Sequence, residues 1–111
     1  MSNKKEIRSK FRNVCLKRDS LTCRTCGLKA KSQEQAEQIF DVHHITDRHE
    51  MPNGGYVLEN GITLCHICHM KAEQFHSTGI PVAGFSIDDL YKIIGSNLEK
   101  AQTASQKIKE S

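Results

Sequence analysis

The chain has 111 residues, of which 37% are hydrophobic and 5% aromatic, with no tryptophan and a formal charge of +3; this fits one domain with a small core and room for an appended helix. Such a core barely offsets a conformational entropy cost of roughly 1.5 kcal/mol per ordered residue, so a staple is expected, and the five cysteines are the candidates. No apolar run approaches the ~20 residues of a membrane span, and the basic start Met1-Ser2-Asn3-Lys4-Lys5 leads into no signal-peptide core; a cytosolic protein is expected, where paired cysteines favour metal over disulfides.

Ile7, Phe11, Val14 and Cys15 recur at helical spacing and predict an amphipathic helix over 4–18. Its other face carries Lys4, Arg8, Lys10, Arg12, Lys17 and Arg18. Residues 1–18 hold seven Lys/Arg against Glu6 alone, a net +6, so the remainder sums to −3. Four thiolates and one Zn²⁺ would lower the total to about +1, which makes any attraction to nucleic acid local to this helix.

Asp19-Ser20 ends the helix, and Cys23-Arg-Thr-Cys26-Gly27 reads as a tight turn, with Gly27 suited to positive φ at its close. Residues 28–38 are polar and read equally as a short helix or a loop. Residues 39–45, Ile-Phe-Asp-Val-His-His-Ile, predict a strand. The loop 46–59 carries the turn signal Pro52-Asn53-Gly54-Gly55, with a returning strand expected at Tyr56-Val57-Leu58. Asn60 to His69 then runs into a helix ending near His76. Gly79-Ile80-Pro81-Val82-Ala83-Gly84 breaks the chain. Ser86-x-x-Asp89 is a capping-box start with Asp for the usual Glu/Gln, and the helix after it presents Ile87, Leu90, Tyr91 and Ile94. Beyond Leu98 the polar sequence is expected to fray. No internal repeat is present.

The strongest chemical signal is Cys23-x-x-Cys26 with Cys65-x-x-Cys68. Two such knuckles supply four thiolates for a structural, tetrahedral Zn²⁺. A redox role would need a thioredoxin-like βαβ context that this pattern lacks. The interval between the pairs is longer than in a simple zinc ribbon, so another element must lie between them. Cys15, on the apolar helix face, reads as a buried small hydrophobe. His43-His44 ends the predicted strand, and successive strand residues point to opposite faces, so a twist or bulge is expected if both imidazoles serve one site.

The run Asp41-Val-His-His-Ile45, then Asn60, then Leu64-Cys-x-x-Cys-His69 resembles the HNH endonuclease motif in its four-cysteine zinc form. Arg18-Asp19-x-x-x-Cys23-x-x-Cys26-Gly27 is similar to the lead-in of that domain, and the resemblance spans residues 8–76. It implies an α+β fold: a small zinc-stapled ββα-metal (HNH, treble-clef-like) domain with flanking N- and C-terminal helices. The nuclease domain would occupy 1–78, followed by a linker and C-terminal helix over 79–111.

The resemblance also implies roles. His44 matches the general base that takes a proton from the attacking water, a task suited to an ordinary imidazole pKa of about 6.5. His43 matches a metal-binding position that is Asp in many members. Asn60 matches the middle residue, which orients the base or shapes the metal loop. His69 matches the final metal ligand, and Glu73, one turn further on the same face, matches a second helix ligand of some members. The implied cofactors are a structural Zn²⁺ and one catalytic divalent metal (Mg²⁺, Mn²⁺, Ni²⁺ or Zn²⁺), with His43 in place of Asp favouring the softer ions over Mg²⁺. The implied reaction is phosphodiester hydrolysis leaving 5′-phosphate and 3′-hydroxyl ends, one cation stabilising the leaving oxygen.

The implied partner is nucleic acid, double-stranded DNA by the family's habit, in a bacterial or phage-infected cytoplasm. Arg8, Arg12, Arg18 and, in the loop, Arg48 are candidate phosphate contacts beside the bland reading of solvated arginines. His66 reads as a surface residue, while His49 and His76 lie near the cleft or in solvent. A double-strand cut from one metal site needs two copies or two visits, so a homodimer, a partner nuclease or a phage-packaging protein are the protein partners considered. The alternative is a catalytically inactive zinc-stapled nucleic-acid-binding module, against which the joint presence of His44, Asn60 and His69 argues. A purely structural zinc domain docking through its last helix is the third reading.

Overall fold

The computed structural model describes residues 4–108. Helix α1 spans Lys4–Arg18 and buries Phe11, Cys15 and Leu16. The inner stripe is rotated slightly from the expected one: Val14 lies at the edge, 37% exposed, and Leu16 is fully buried. Burial pushes the Cys15 thiol up to about 12, so it is a packed, un-ionised side chain. Ser20 and Leu21, at φ 54° and 55°, reverse the chain after the helix.

Thr22 then bridges to Lys29 around the first cysteine turn, with Cys23 N–H donating to Leu28 O and Gly27 N–H to Cys23 O. Gly27 has φ 82°, as its position in the turn demands. The undecided polar segment resolves into helix α2, Gln33–Ile39, capped by the Ser32 hydroxyl, which accepts from Gln35 N–H. Only Ala36 is buried on it.

Strand β1 (Phe40–His44) pairs antiparallel with β2 (Gly61–Cys65), Phe40 opposite Cys65 and His44 opposite Gly61. The returning strand is therefore not at Tyr56–Leu58. Asn53 at φ 54° and Gly54 and Gly55 at φ 85° and 71° coil the loop, which runs through short 3₁₀ turns at Arg48–Glu50, Pro52–Gly55 and Leu58–Asn60. All five β2 residues are buried, so that strand shows none of the alternation that marks a half-exposed one.

Helix α3 (His66–Thr78) follows β2 without a break and ends at Gly79 in the left-handed conformation. Helix α4 (Ile87–Ile93) starts with the expected capping box between Ser86 and Asp89. Residues past Leu98 do not fray: Leu98–Gln106 form helix α5, capped by Asn97, with Ala101 and Ser105 buried. Ser105 Oγ accepts from Gly55 N–H at 3.0 Å and donates to Pro52 O, while Asn53 Nδ2 donates to Ser105 O. The last helix thus braces the loop between the strands.

The core centres on Leu16, Phe40, Ile45, Ile62, Leu64 and Leu90, all fully buried; side chains of this kind contribute roughly 1.5–3 kcal/mol each. Helix α1 lies directly on β2 because position 61 is glycine. A Cβ there would fall 2.5 Å from Cys15 Sγ and 2.7 Å from the Phe11 ring. Asp19 is buried between Arg18 (2.8 Å), Arg24 (2.6 Å) and the Thr63 N–H (3.0 Å). Burial alone would raise its pKa, but these partners outweigh it and hold the carboxyl below the usual range. No helix among the described residues is long and apolar enough to cross a membrane.

Candidate metal centres and cleft

The first centre is the cysteine cluster. Cys23 and Cys26 come from the turn after α1, Cys65 closes β2, and Cys68 sits in the first turn of α3. Their sulfurs all lie within 4.8 Å of one another, and Cys26 Sγ is 3.8 Å from Cys65 Sγ. Sulfurs about 2.3 Å from a tetrahedral ion stand about 3.8 Å apart, so the four fit a Zn²⁺-sized cation. Burial opposes ionisation of Cys23, yet the Thr25 hydroxyl and the N–H groups of Cys65 and Cys26 bring its thiol down to about 6. Cys68, where burial dominates, is held at about 12. A thiolate forms readily at Cys23, and a bound cation would favour the ionised form of Cys68.

The second centre lies across the hairpin. His43, Glu73 and His69 are brought together, with ligand atoms within 4.8 Å. His43 Nδ1 and His69 Nε2 lie 3.1 and 3.2 Å from the same oxygen, Glu73 Oε1. The i, i+4 spacing of His69 and Glu73 puts both on the α3 face that meets β1. His76 joins them, its ring 5.3 Å from that of His43. The His43 hydrogen bond, together with the charges of His43, His69 and His76, holds the Glu73 carboxyl at about 2 against partial burial. His43 is 1% exposed; burial, only partly opposed by Glu73, lowers its pKa and keeps it a neutral donor of lone pairs.

His44 points the other way. The ladder is regular here, with His43 opposite Ile62 and His44 opposite Gly61, so no bulge brings the two imidazoles to one face. The His44 ring sits between Phe11 (4.7 Å) and Tyr56 (4.8 Å, edge-on). Burial, then the neighbouring His43 and Arg48, lower its pKa to about 4. The two sides meet at the strand end instead, in an open cavity of about 230 Å³ lined by His44, Asp47, Arg48, His49, Glu73 and His76.

Asn60 is fully buried and touches neither imidazole. Its Oδ1 accepts from Thr46 N–H (3.0 Å) and Tyr91 O–H (2.8 Å), and its Nδ2 donates to the carbonyls of Thr46 (3.1 Å) and Gly55 (3.2 Å). It pins the loop just after His44. A Cβ on Gly55 would lie 2.7 Å from this amide, which leaves no room for another residue.

The four candidate arginines separate. Arg12 donates to the carbonyls of Glu37 (2.6 Å) and Phe40 (3.0 Å), closing the end of α2. Arg18 holds Asp19 and the carbonyls of Leu58 and Gly61. Arg8 and Arg48 instead converge on Tyr56: the Arg8 guanidinium is 5.9 Å over its ring, and Arg48 donates to its hydroxyl at 3.3 Å. Burial would raise the Tyr56 pKa, but the two guanidiniums outweigh it and lower it. With Lys4 and His49 they line a shallow cleft of about 250 Å³. Tyr56 carried no functional signal in the sequence, where it read as part of a strand.

An antiparallel hairpin leading into a helix, stapled by four cysteines and carrying a His/Glu group between strand and helix, is a ββα-metal domain. Residues 23–75 match the family model described as HNH endonuclease, and that stretch holds all four clustered cysteines and the His/Glu group. No curated protein and no solved structure matches the chain.

Proposed function

We propose that the chain is a metal-dependent endonuclease that hydrolyses phosphodiester bonds in DNA. The observation that carries this reading is that His44 and Glu73, the latter joined to His43 and His69, line one cavity. That cavity is large enough for a phosphate group.

In this reading His43, His69 and Glu73 hold a single divalent cation, while Cys23, Cys26, Cys65 and Cys68 hold Zn²⁺ that shapes the fold. When bound, the cation neutralises charge on the scissile phosphate and stabilises the leaving oxygen. His44, neutral at pH 7 because it is buried, accepts the proton of the attacking water. The rings of Phe11 and Tyr56 fix its plane. Asn60 keeps the loop from His44 to Arg48 in place and so positions the base without touching substrate. Arg8 and Arg48, with free faces beside the cavity, contact backbone phosphates; Arg12 and Arg18 serve the fold. Two imidazoles and one carboxylate favour Mn²⁺, Ni²⁺ or Zn²⁺ over Mg²⁺. The nuclease unit is assigned to residues 1–78, and residues 79–111 buttress its loop through Tyr91 and Ser105.

Incubating supercoiled plasmid with zinc-loaded protein and each of the four ions, beside His44→Ala, tests the reading. Metal-dependent nicking that the variant loses is the expected result. Retarded plasmid mobility without nicking in any ion would replace the nuclease with a zinc-stapled nucleic-acid binder.

A further inference from the structure

His69 is held at both ring nitrogens. Its Nε2 faces Glu73, at 3.2 Å, and its Nδ1 lies 3.2 Å from Asp41 Oδ2. Asp41 reaches it because positions 41 and 43 share one face of β1, the face that meets α3. The same Asp41 oxygen lies 2.7 Å from His66 Nδ1, and His66 is the residue next to Cys65 in the second knuckle. Glu73 and Asp41 can both only accept, and a neutral imidazole has one N–H, so His69 donates to one of them at a time; a cation held by Glu73 and the Nε2 lone pair would leave that N–H on Nδ1, facing Asp41. Asp41 stands on the far side of the ring from that group and is not itself among the clustered ligand atoms.

We infer that Asp41 is a positioning residue of the second metal centre: its carboxylate faces the Nδ1 edge of His69 and holds the ring plane in which Nε2 meets the cation. This rests on the metal-binding reading of His43, His69 and Glu73. A hydrogen bond of this kind raises ligand basicity, and its loss lowers metal affinity about 10- to 100-fold.

The test is calorimetric titration of zinc-loaded protein with Mn²⁺ alone, for the native chain, Asp41→Ala and His66→Ala. Zinc content and melting temperature are recorded for each. Asp41→Ala is expected to weaken Mn²⁺ binding by at least about tenfold. Its zinc content should be unchanged, and His66→Ala should bind Mn²⁺ within about twofold of the native chain, since the Asp41 contact to His69 survives. Equal affinity in Asp41→Ala and native protein overturns the assignment while leaving the metal site standing. A loss in His66→Ala as large as that in Asp41→Ala also overturns it, since the carboxylate would then act through the knuckle. Native protein that binds no Mn²⁺ removes both the assignment and the metal site beneath it.

Discussion

The two centres of this domain share a wall, since the first turns of α3 supply residues to both, yet they are built oppositely. The cysteine cluster is closed: four identical soft donors surround one point, three of them buried. The histidine centre is incomplete: three mixed donors sit at the edge of an opening that His44 also lines. Structural metal sites saturate the ion with protein, and catalytic ones leave a position for water or substrate. In the proposed reading the first centre supplies stability and the second the chemistry, and the contrast fails if either centre does the other's work.

The largest effect should come from the closed centre. Structural zinc in such sites is worth on the order of 10–16 kcal/mol, far more than a core this small can spare. Stripping zinc, or Cys65→Ala, should abolish the helical circular dichroism signal. Retention of most helix after zinc removal would show that the cysteines are not the staple. At the open centre the fold should survive and the rate should not: His44→Ala is expected to cost about 10²–10⁴-fold in plasmid nicking with zinc content unchanged.

Asn60→Ala should behave differently from both. It strands the buried Thr46 N–H and carbonyl and removes one partner each from the Gly55 carbonyl and the Tyr91 hydroxyl, and roughly 3 kcal/mol of unfolding free energy should be lost in a urea titration. A variant with native stability and no activity would instead make Asn60 a contact of the reacting groups.

How far all this could be read from sequence depended on how each feature is held. The cysteine spacing and the His43, His69 and Glu73 positions are local patterns, and the structure brings each of these two sets together, while Asn60 bonds to the loop and to Tyr91 instead. Helix α5 was invisible because it docks through Ala101 and the hydroxyl of Ser105, which leave no apolar periodicity. Strand β2 is five residues long and runs straight into α3, so it read as that helix's lead-in, whereas Tyr56-Val57-Leu58 looks like a strand but follows three positive-φ residues. The pairing of Tyr56 with Arg8 and Arg48 joins residues from separate segments, as does that of Asp41 with His69. Charge counts along the chain could not tell Arg8, turned to the cleft, from Arg12 and Arg18, turned to carbonyls.

Smaller effects sharpen the same division. Both His43 and His44 have pKa values lowered on folding, so the unfolded chain binds their protons more tightly. Stability from these groups is complete above the ordinary 6.5 and falls as pH drops towards about 4. Thermal melts of zinc-loaded protein should show this acid slope, reduced in His44→Gln; an identical slope in the variant would mean that His44 is solvated. For the same reason nicking should not titrate away near pH 6.5. Smallest of all, Arg8→Ala and Arg48→Ala should each reduce the salt slope of DNA binding by about 1, whereas Arg12→Ala should lower stability and leave the slope alone.

The central claim is that a second cation sits among His43, His69 and Glu73 with His44 at the same cavity. Anomalous diffraction from crystals of zinc-loaded protein soaked in Mn²⁺ reads it directly. The account requires a manganese peak within bonding distance of those three side chains and separate from the zinc. A peak elsewhere on the surface, or zinc alone, would contradict it.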